Sequence, residues 1–208
     1  MNKNFPMDVG SSSFLIIIPL PMFVSGFMLI QTGFSLCFQL PKSFDKSLDK
    51  ASSEFVKKIS ENVSYKEGVY SITAKRLGLN NEPNSYHLSN MELLAEKVFE
   101  PLRKHVNGPI KINSFYRSPE LNQAIGGSSK SQHCKGQAID IDDTYAYATN
   151  AEMFDYIRKN LDYDQMIWEF GTDENPDWVH VSYVNEDDNR NRCLKAYREG
   201  GKTKYKVI

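Results

Sequence analysis

Apolar residues along the chain follow three patterns in turn. Residues 9–41 carry no charged side chain, and Phe14 to Ile30 is almost wholly apolar. Phe44, Leu48, Ala51, Phe55 and Ile59 then recur at three- and four-residue steps, the spacing of an amphipathic helix over Ser43–Glu61. Beyond a mixed stretch from Ser60 to Asn84, with a short helical turn at Thr73–Leu77 and a loop at Asn80–Pro83, helical spacing returns. Ser89-Asn90-Met91-Glu92 reads as a capping box. It opens a helix to about Val106 with Met91, Leu94, Ala95, Val98, Leu102 and Val106 on one face. Asn107-Gly108-Pro109 ends that helix.

The third pattern is alternation. Ile110–Phe115 and Ala138–Asp142 both read as strands. Between them Ser118-Pro119-Glu120 starts a short helix with proline at its first position, and Gly126-Gly127 ends it. Thr149-Asn150-Ala151-Glu152 is a second capping box, opening a helix that turns Met153, Phe154, Ile157 and Leu161 inward. Gln165–Phe170 and Trp178–Tyr183 are strands flanking the acidic loop Gly171–Asp177, which predicts an antiparallel hairpin. Asn189–Glu199 reads as a last helix, followed by Gly200-Gly201 and a basic tail, Lys202–Lys206. These elements do not alternate as βαβ units. The expected fold is α+β, a small, mostly antiparallel sheet flanked by helices.

At 208 residues the chain has room for one ordinary domain and a short extra segment. Its 25 basic and 26 acidic side chains leave a net charge of −1, so no global field draws it to nucleic acid, and no nucleic-acid partner is expected. Cys37, Cys134 and Cys193 are widely spaced and odd in number, forming neither a disulfide framework nor a metal knuckle. The seventeen apolar residues Phe14–Ile30 fall just short of the ~20 of a spanning helix. Pro19 and Pro21 interrupt them, Lys3 is offset by Asp8, and no small-residue cleavage site follows. An export signal or membrane anchor, with membrane association through residues 14–40, is favoured over an extension from a mis-assigned start at Met1. The expected organisation is an apolar segment over 1–42, an amphipathic helix or spacer over 43–61, and a domain over 62–208 that acts as a monomer.

The richest chemistry lies in Gly126–Asp142, a small polar loop that runs into an alternating strand. His133 precedes Asp140 by seven residues, with Gly136 between them. That spacing is wrong for one helix face and right for a loop folding back on its own strand. Trp178-Val179-His180 offers a third donor. Two histidines and a carboxylate with an open fourth position make a catalytic zinc site. Asp142, on the same strand face as Asp140, is the rival carboxylate or an orienting group behind a ligand. His87 and His105 flank a helix and read as surface residues, and Cys134 as incidental. On residue types alone, His133 and His180 read as unrelated polar residues.

The pattern Ser131-x-His133-x-x-Gly136-x-Ala138-x-Asp140, with Trp178-x-His180 later and Tyr116-Arg117-Ser118-Pro119-Glu120-Leu121-Asn122 upstream, resembles the zinc D-Ala-D-Ala carboxypeptidase family. That family includes D,D-dipeptidases and phage L-alanyl-D-glutamate endolysins and shares its fold with the hedgehog signalling domain. The resemblance runs loosely from about Ile59 to Lys206. It implies Zn²⁺ on His133, Asp140 and His180, and a substrate drawn from bacterial peptidoglycan peptides. It also implies a base three residues before the last histidine, here Asp177, although residues 177 and 180 of a regular strand point to opposite faces. Glu169 on the partner strand is the rival base, and Asp177 is preferred. Arg117 is implied to bind a substrate carboxylate or the oxyanion. Ser131 contacts substrate or shapes the turn, and Trp178 walls the site or joins the core. Peptidase action points to a membrane-anchored or secreted protein of the cell envelope, or to a cytoplasmic phage-type lysin if the N-terminal segment is no export signal. The other reading is a non-catalytic zinc-binding module on the same fold.

Overall fold

Two helices and an apolar sheet face build the core. The computed structural model describes residues 57–208. The apolar segment expected over 1–42 and most of the helix expected over Ser43–Glu61 lie outside the described residues. The last residues of that helix, 57–61, are not helical, and Lys58 bridges Ser64 instead. Two short helices follow, α1 (Tyr65–Gly68) and α2 (Ile72–Leu77), capped by the side chains of Ser64 and Ser71.

The helix expected to open at Ser89 begins a turn earlier, as α3 (Ser85–Leu94), because Asn84 accepts the His87 N–H at 2.8 Å. Ser89 sits mid-helix. A π turn at Ala95–Phe99 carries the chain into α4 (Glu100–Val106). The widening falls where Pro101 lacks an N–H and its ring would crowd the carbonyl of Lys97. Asn107, at φ 52°, closes the helix in the left-handed region, as its place before Gly108-Pro109 predicts.

Six strands form one sheet in the order β1-β2-β4-β3-β5-β6. They are β1 (Lys111–Ser114), β2 (Ala138–Asp142), β3 (Gln165–Glu169), β4 (Trp178–Ser182), β5 (Arg192–Glu199) and β6 (Lys202–Val207). All neighbours are antiparallel except β3 and β5. Helix α5 (Pro119–Ala124), capped by Ser118, joins β1 to the loop before β2. Helix α6 (Asn150–Asn160), opened by the Thr149–Glu152 capping box, joins β2 to β3.

The last helix expected over Asn189–Glu199 is instead strand β5, and the basic tail is strand β6, with its side chains mostly exposed. Gly200 and Gly201 both have positive φ, 57° and 73°. Such a pair forms the two-residue turn that matches strand twist, so it joins β5 to β6 as a hairpin. Pairing with β3, distant in sequence, supplies the hydrogen bonds that local spacing could not reveal.

Alternation divides the sheet into two chemistries. Ile139, Ile141, Met166, Val179 and Val181 are almost fully buried, in one cluster with Met91, Leu94, Val98, Phe99 and Leu102 of the long helix and Met153, Phe154 and Ile157 of α6. Each such side chain contributes about 1.5–3 kcal/mol by leaving water. The register places Asp140 opposite His180, and His180 opposite Ile167. These residues alternate with the core set, so they line the other face. The fold is the α+β, mostly antiparallel arrangement that the sequence pattern predicts.

Candidate metal centre

His133 lies on a 3-10 turn, Gln132–Lys135, closed by Gly136 at φ 70°. A Cβ on Gly136 would stand 2.2 Å from the His87 carbonyl oxygen and 2.9 Å from Met91 Cγ. Glycine is therefore required both by its left-handed backbone and by the close approach of α3. Asn90 of the same helix donates to the Lys135 carbonyl at 2.8 Å and ties the turn down. The turn thus brings His133 back against β2, where Asp140 and His180 already face each other across the ladder.

The three donors converge. His133 Nε2 is 3.2 Å from Asp140 Oδ2 and 3.3 Å from His180 Nδ1, and His180 Nδ1 is 2.8 Å from Asp140 Oδ1. A tetrahedral zinc with ligands at ~2.0–2.1 Å would space its donors by ~3.3 Å, so these separations suit such a cation. His133, Asp140 and His180 are the one group of this kind among the described residues.

The surroundings prepare each donor. His133 Nδ1 lies 2.7 Å from the Phe115 carbonyl oxygen. A carbonyl only accepts, so Nδ1 carries the proton and Nε2 offers its lone pair. Burial pushes the His133 imidazole below its ordinary pKa, which keeps it neutral as a ligand must be. Burial alone would raise the Asp140 carboxyl, but His133 and His180 outweigh it and hold Asp140 well below the carboxylate range. Arg117 adds an ion pair to Asp140 Oδ2 at 2.9 Å and donates through Nε to Ser114 Oγ at 2.9 Å. Asn81 positions that arginine: its side chain donates to the Tyr116 carbonyl at 3.1 Å and accepts the Ser118 N–H at 2.7 Å.

The cluster opens into a cleft of about 1260 Å³ that Glu169, Trp178, Ser131 and Arg117 also line. Glu169 ends β3 opposite Trp178, two residues along from the Ile167–His180 pair and so on the same face. It is 8% exposed. Burial pushes its carboxyl up to about 7, with Asp140 adding to the rise and His180, Arg117 and Arg198 opposing it. Asp177, preferred in the sequence as the base, is exposed and does not line the cleft. Its backbone N–H donates to the Glu169 carbonyl at 2.9 Å and its own carbonyl accepts from Asn150 at 3.1 Å. Of the two carboxylates, Glu169 and not Asp177 lines the cleft with His180.

One further expectation changes. Asp142 does not stand behind a ligand. It accepts the Thr144 N–H at 2.8 Å and caps the turn after β2. His87 packs against Tyr116 and His105 stacks on Tyr156, both away from the donors. A network absent from the sequence reading supports the metal loop from the far side. Asp164, 1% exposed, accepts from Gln132 Nε2 at 2.8 Å, from Ser182 Oγ at 3.3 Å and from both Nε and Nη2 of Arg190. The position of Gln132 beside His133 was the available signal.

A six-stranded α+β domain presenting a His-Asp-His donor set and a buried carboxyl in one open cleft has the build of a metallopeptidase. Residues 53–182 match the model of the peptidase M15 family, more than half of the 208 residues. The chain belongs to that family of zinc-dependent peptidases, and the resemblance drawn from its motifs holds. A comparison with curated proteins finds no match.

Proposed function

We propose that the chain hydrolyses amide bonds in bacterial peptidoglycan peptides, at a bond of the D,D-carboxypeptidase or L,D-endopeptidase type, with Glu169 as general base and acid. The observation that carries this reading is a buried carboxyl, pushed up to about 7, on the sheet face that bears Asp140 and His180. A base with a pKa near the working pH combines a useful ionised fraction with real driving force for proton transfer.

His133 Nε2, His180 Nδ1 and an Asp140 oxygen would hold the zinc. When bound, it supplies Lewis acidity to the scissile carbonyl and acidity to the attacking water. Glu169 takes the proton of that water and delivers it to the departing amine. Arg117 spends Nε and Nη2 on Ser114 and Asp140. Its chief work is orienting Asp140, and its Nη1, without a partner among the described residues, remains for a substrate oxygen. Trp178 and Ser131 flank the bound peptide. Delivery to the envelope would run through the apolar residues 14–40.

The test is digestion of purified peptidoglycan by the zinc-loaded full chain, with fragments identified by mass spectrometry. Wild type and Asp177→Asn are expected to release peptides, while Glu169→Gln binds metal normally and releases almost none. Digestion by Glu169→Gln with loss in Asp177→Asn would return the base to Asp177. No release by any of them, with zinc bound, would favour the non-catalytic module.

A further inference from the structure

The far wall of the cleft is the β5–β6 hairpin, which begins past residue 182, the last position matched to the family. Ile167 and Leu194 line the cleft and form, with Ala196, a small separate apolar cluster against which Phe170 packs. Phe170 has φ 55°. A bulky aromatic in the left-handed region is a strained conformation that only its surroundings can hold. The bend sets its ring 5.5 Å from Trp178 on one side and 4.6 Å from the Arg198 guanidinium on the other. Arg198 also donates from Nη1 to Thr203 Oγ1 at 2.8 Å. No carboxylate forms an ion pair with it among the described residues: Glu199 pairs with Lys204 and Asp173 with Lys195, and Glu169 feels its charge without an ion pair.

The charges of the cleft show what such a cation is for. Arg117 is committed to Asp140 and Arg190 to Asp164. Arg192 and Arg198 both line the cleft without a carboxylate ion pair among the described residues, and of the two it is Arg198 that an aromatic face and a hydroxyl already order. Ordering in advance removes much of the entropic cost of binding. A guanidinium fork with donors left over matches a carboxylate.

Resting on the function proposed above, we propose that Arg198, set over Phe170 and held by Thr203, is a specificity-determining residue that binds a carboxylate of the peptide substrate. Two carboxylates have the right chemistry: the C-terminal one of the stem peptide and the α-carboxylate of its γ-linked glutamate. Zinc-loaded Glu169→Gln protein keeps the peptide intact, so binding can be read without turnover. Calorimetry would use two matched synthetic stem-peptide pairs, each with one of these carboxylates free or converted to the amide. For one pair the free acid is expected to bind roughly ten- to a hundredfold more tightly than the amide, and that pair identifies the carboxylate. Adding Arg198→Gln should collapse the preference, Arg198→Lys should restore part of it, and Lys202→Gln on the same hairpin should leave it intact. A preference that survives Arg198→Gln, or that never appears in either pair, overturns the assignment. Selective binding by a protein whose Glu169 form cuts nothing would instead overturn the peptidase reading and leave this one standing.

Discussion

Arg117 donates to the same carboxylate that completes the metal donors, 2.9 Å from Asp140 Oδ2. Side chains behind a ligand set its orientation and basicity, and losing one commonly weakens metal binding by ~10–100-fold. Arg117→Ala should lower zinc affinity by about that factor in competition with a chromogenic chelator. Arg117→Lys keeps charge but loses the fork that spans Ser114 and Asp140, so it should fall between. Wild-type affinity in both would show that Asp140 needs no such partner.

With Glu169 as the proposed base, the activity should have an acidic limb. The base works ionised, so kcat/KM should fall as pH drops through about 7, by roughly tenfold per further unit. A bound dication beside it favours the carboxylate and moves that limb lower. In the metal-free protein the same raised pKa acts on folding. The native state holds a proton that the unfolded chain releases, so stability declines as pH rises from about 4.5 to about 7. Glu169→Gln should flatten this decline in urea titrations at stepped pH. An unchanged slope would remove Glu169 as its source.

Gly136→Ala should be costly despite adding one methyl. Its φ of 70° and the 2.2 Å approach to the His87 carbonyl both penalise a Cβ, and the obstacle is backbone, which yields little. A loss of about 2–4 kcal/mol is expected, read by thermal unfolding of the metal-free protein. Zinc affinity should fall as well, because the turn carries His133. Alanine tolerated without loss in either measurement would mean that α3 can shift to make room.

Asp164 makes the opposite acid contribution to Glu169. Burial works to raise its carboxyl, but hydrogen bonds from Arg190 and Gln132 prevail and lower it. A depressed folded pKa stabilises above the unfolded value of ~3.9, and the gain disappears as pH falls through the folded one. Wild type should therefore lose stability below about pH 4, and Asp164→Asn should lose less on acidification. At neutral pH that variant should be weaker by about 3 kcal/mol, the low end for a broken buried pair because Arg190 is half exposed. Equal denaturation midpoints at neutral pH would refute the network's role.

The parts legible in the sequence were those set by local chemistry. Thr149 and Glu152 announce their helix because both capping contacts lie within four residues, and Asn107 announces a stop through its own backbone preference. His133, Asp140 and His180 were legible as a set only through the resemblance of their motifs to a known family, because residue types alone leave the two histidines unrelated. Pairings between distant segments were not. Arg192–Glu199 acquires its strand character from β3, and nothing nearby distinguishes a Gly-Gly stop from a Gly-Gly hairpin. Glu169 and Asp177 lie on either side of the β3–β4 turn and differ in burial, which only the folded sheet decides. Gln132, Asp164 and Arg190 stand 32 and 26 residues apart along the chain, so no window could contain them.

The proton on the His133 ring is assigned by the Phe115 carbonyl, which belongs to the main chain. No exchange of one side chain for another deletes it. An alanine scan would pass over position 115 as an ordinary packing residue and report only the loss of a large hydrophobe. The group would become visible only to chemistry that alters the chain path itself: a residue inserted between Ser114 and Arg117, or a thioamide placed at Phe115. Drift at this position is thus limited by where the polypeptide runs, leaving the choice of side chain to the core.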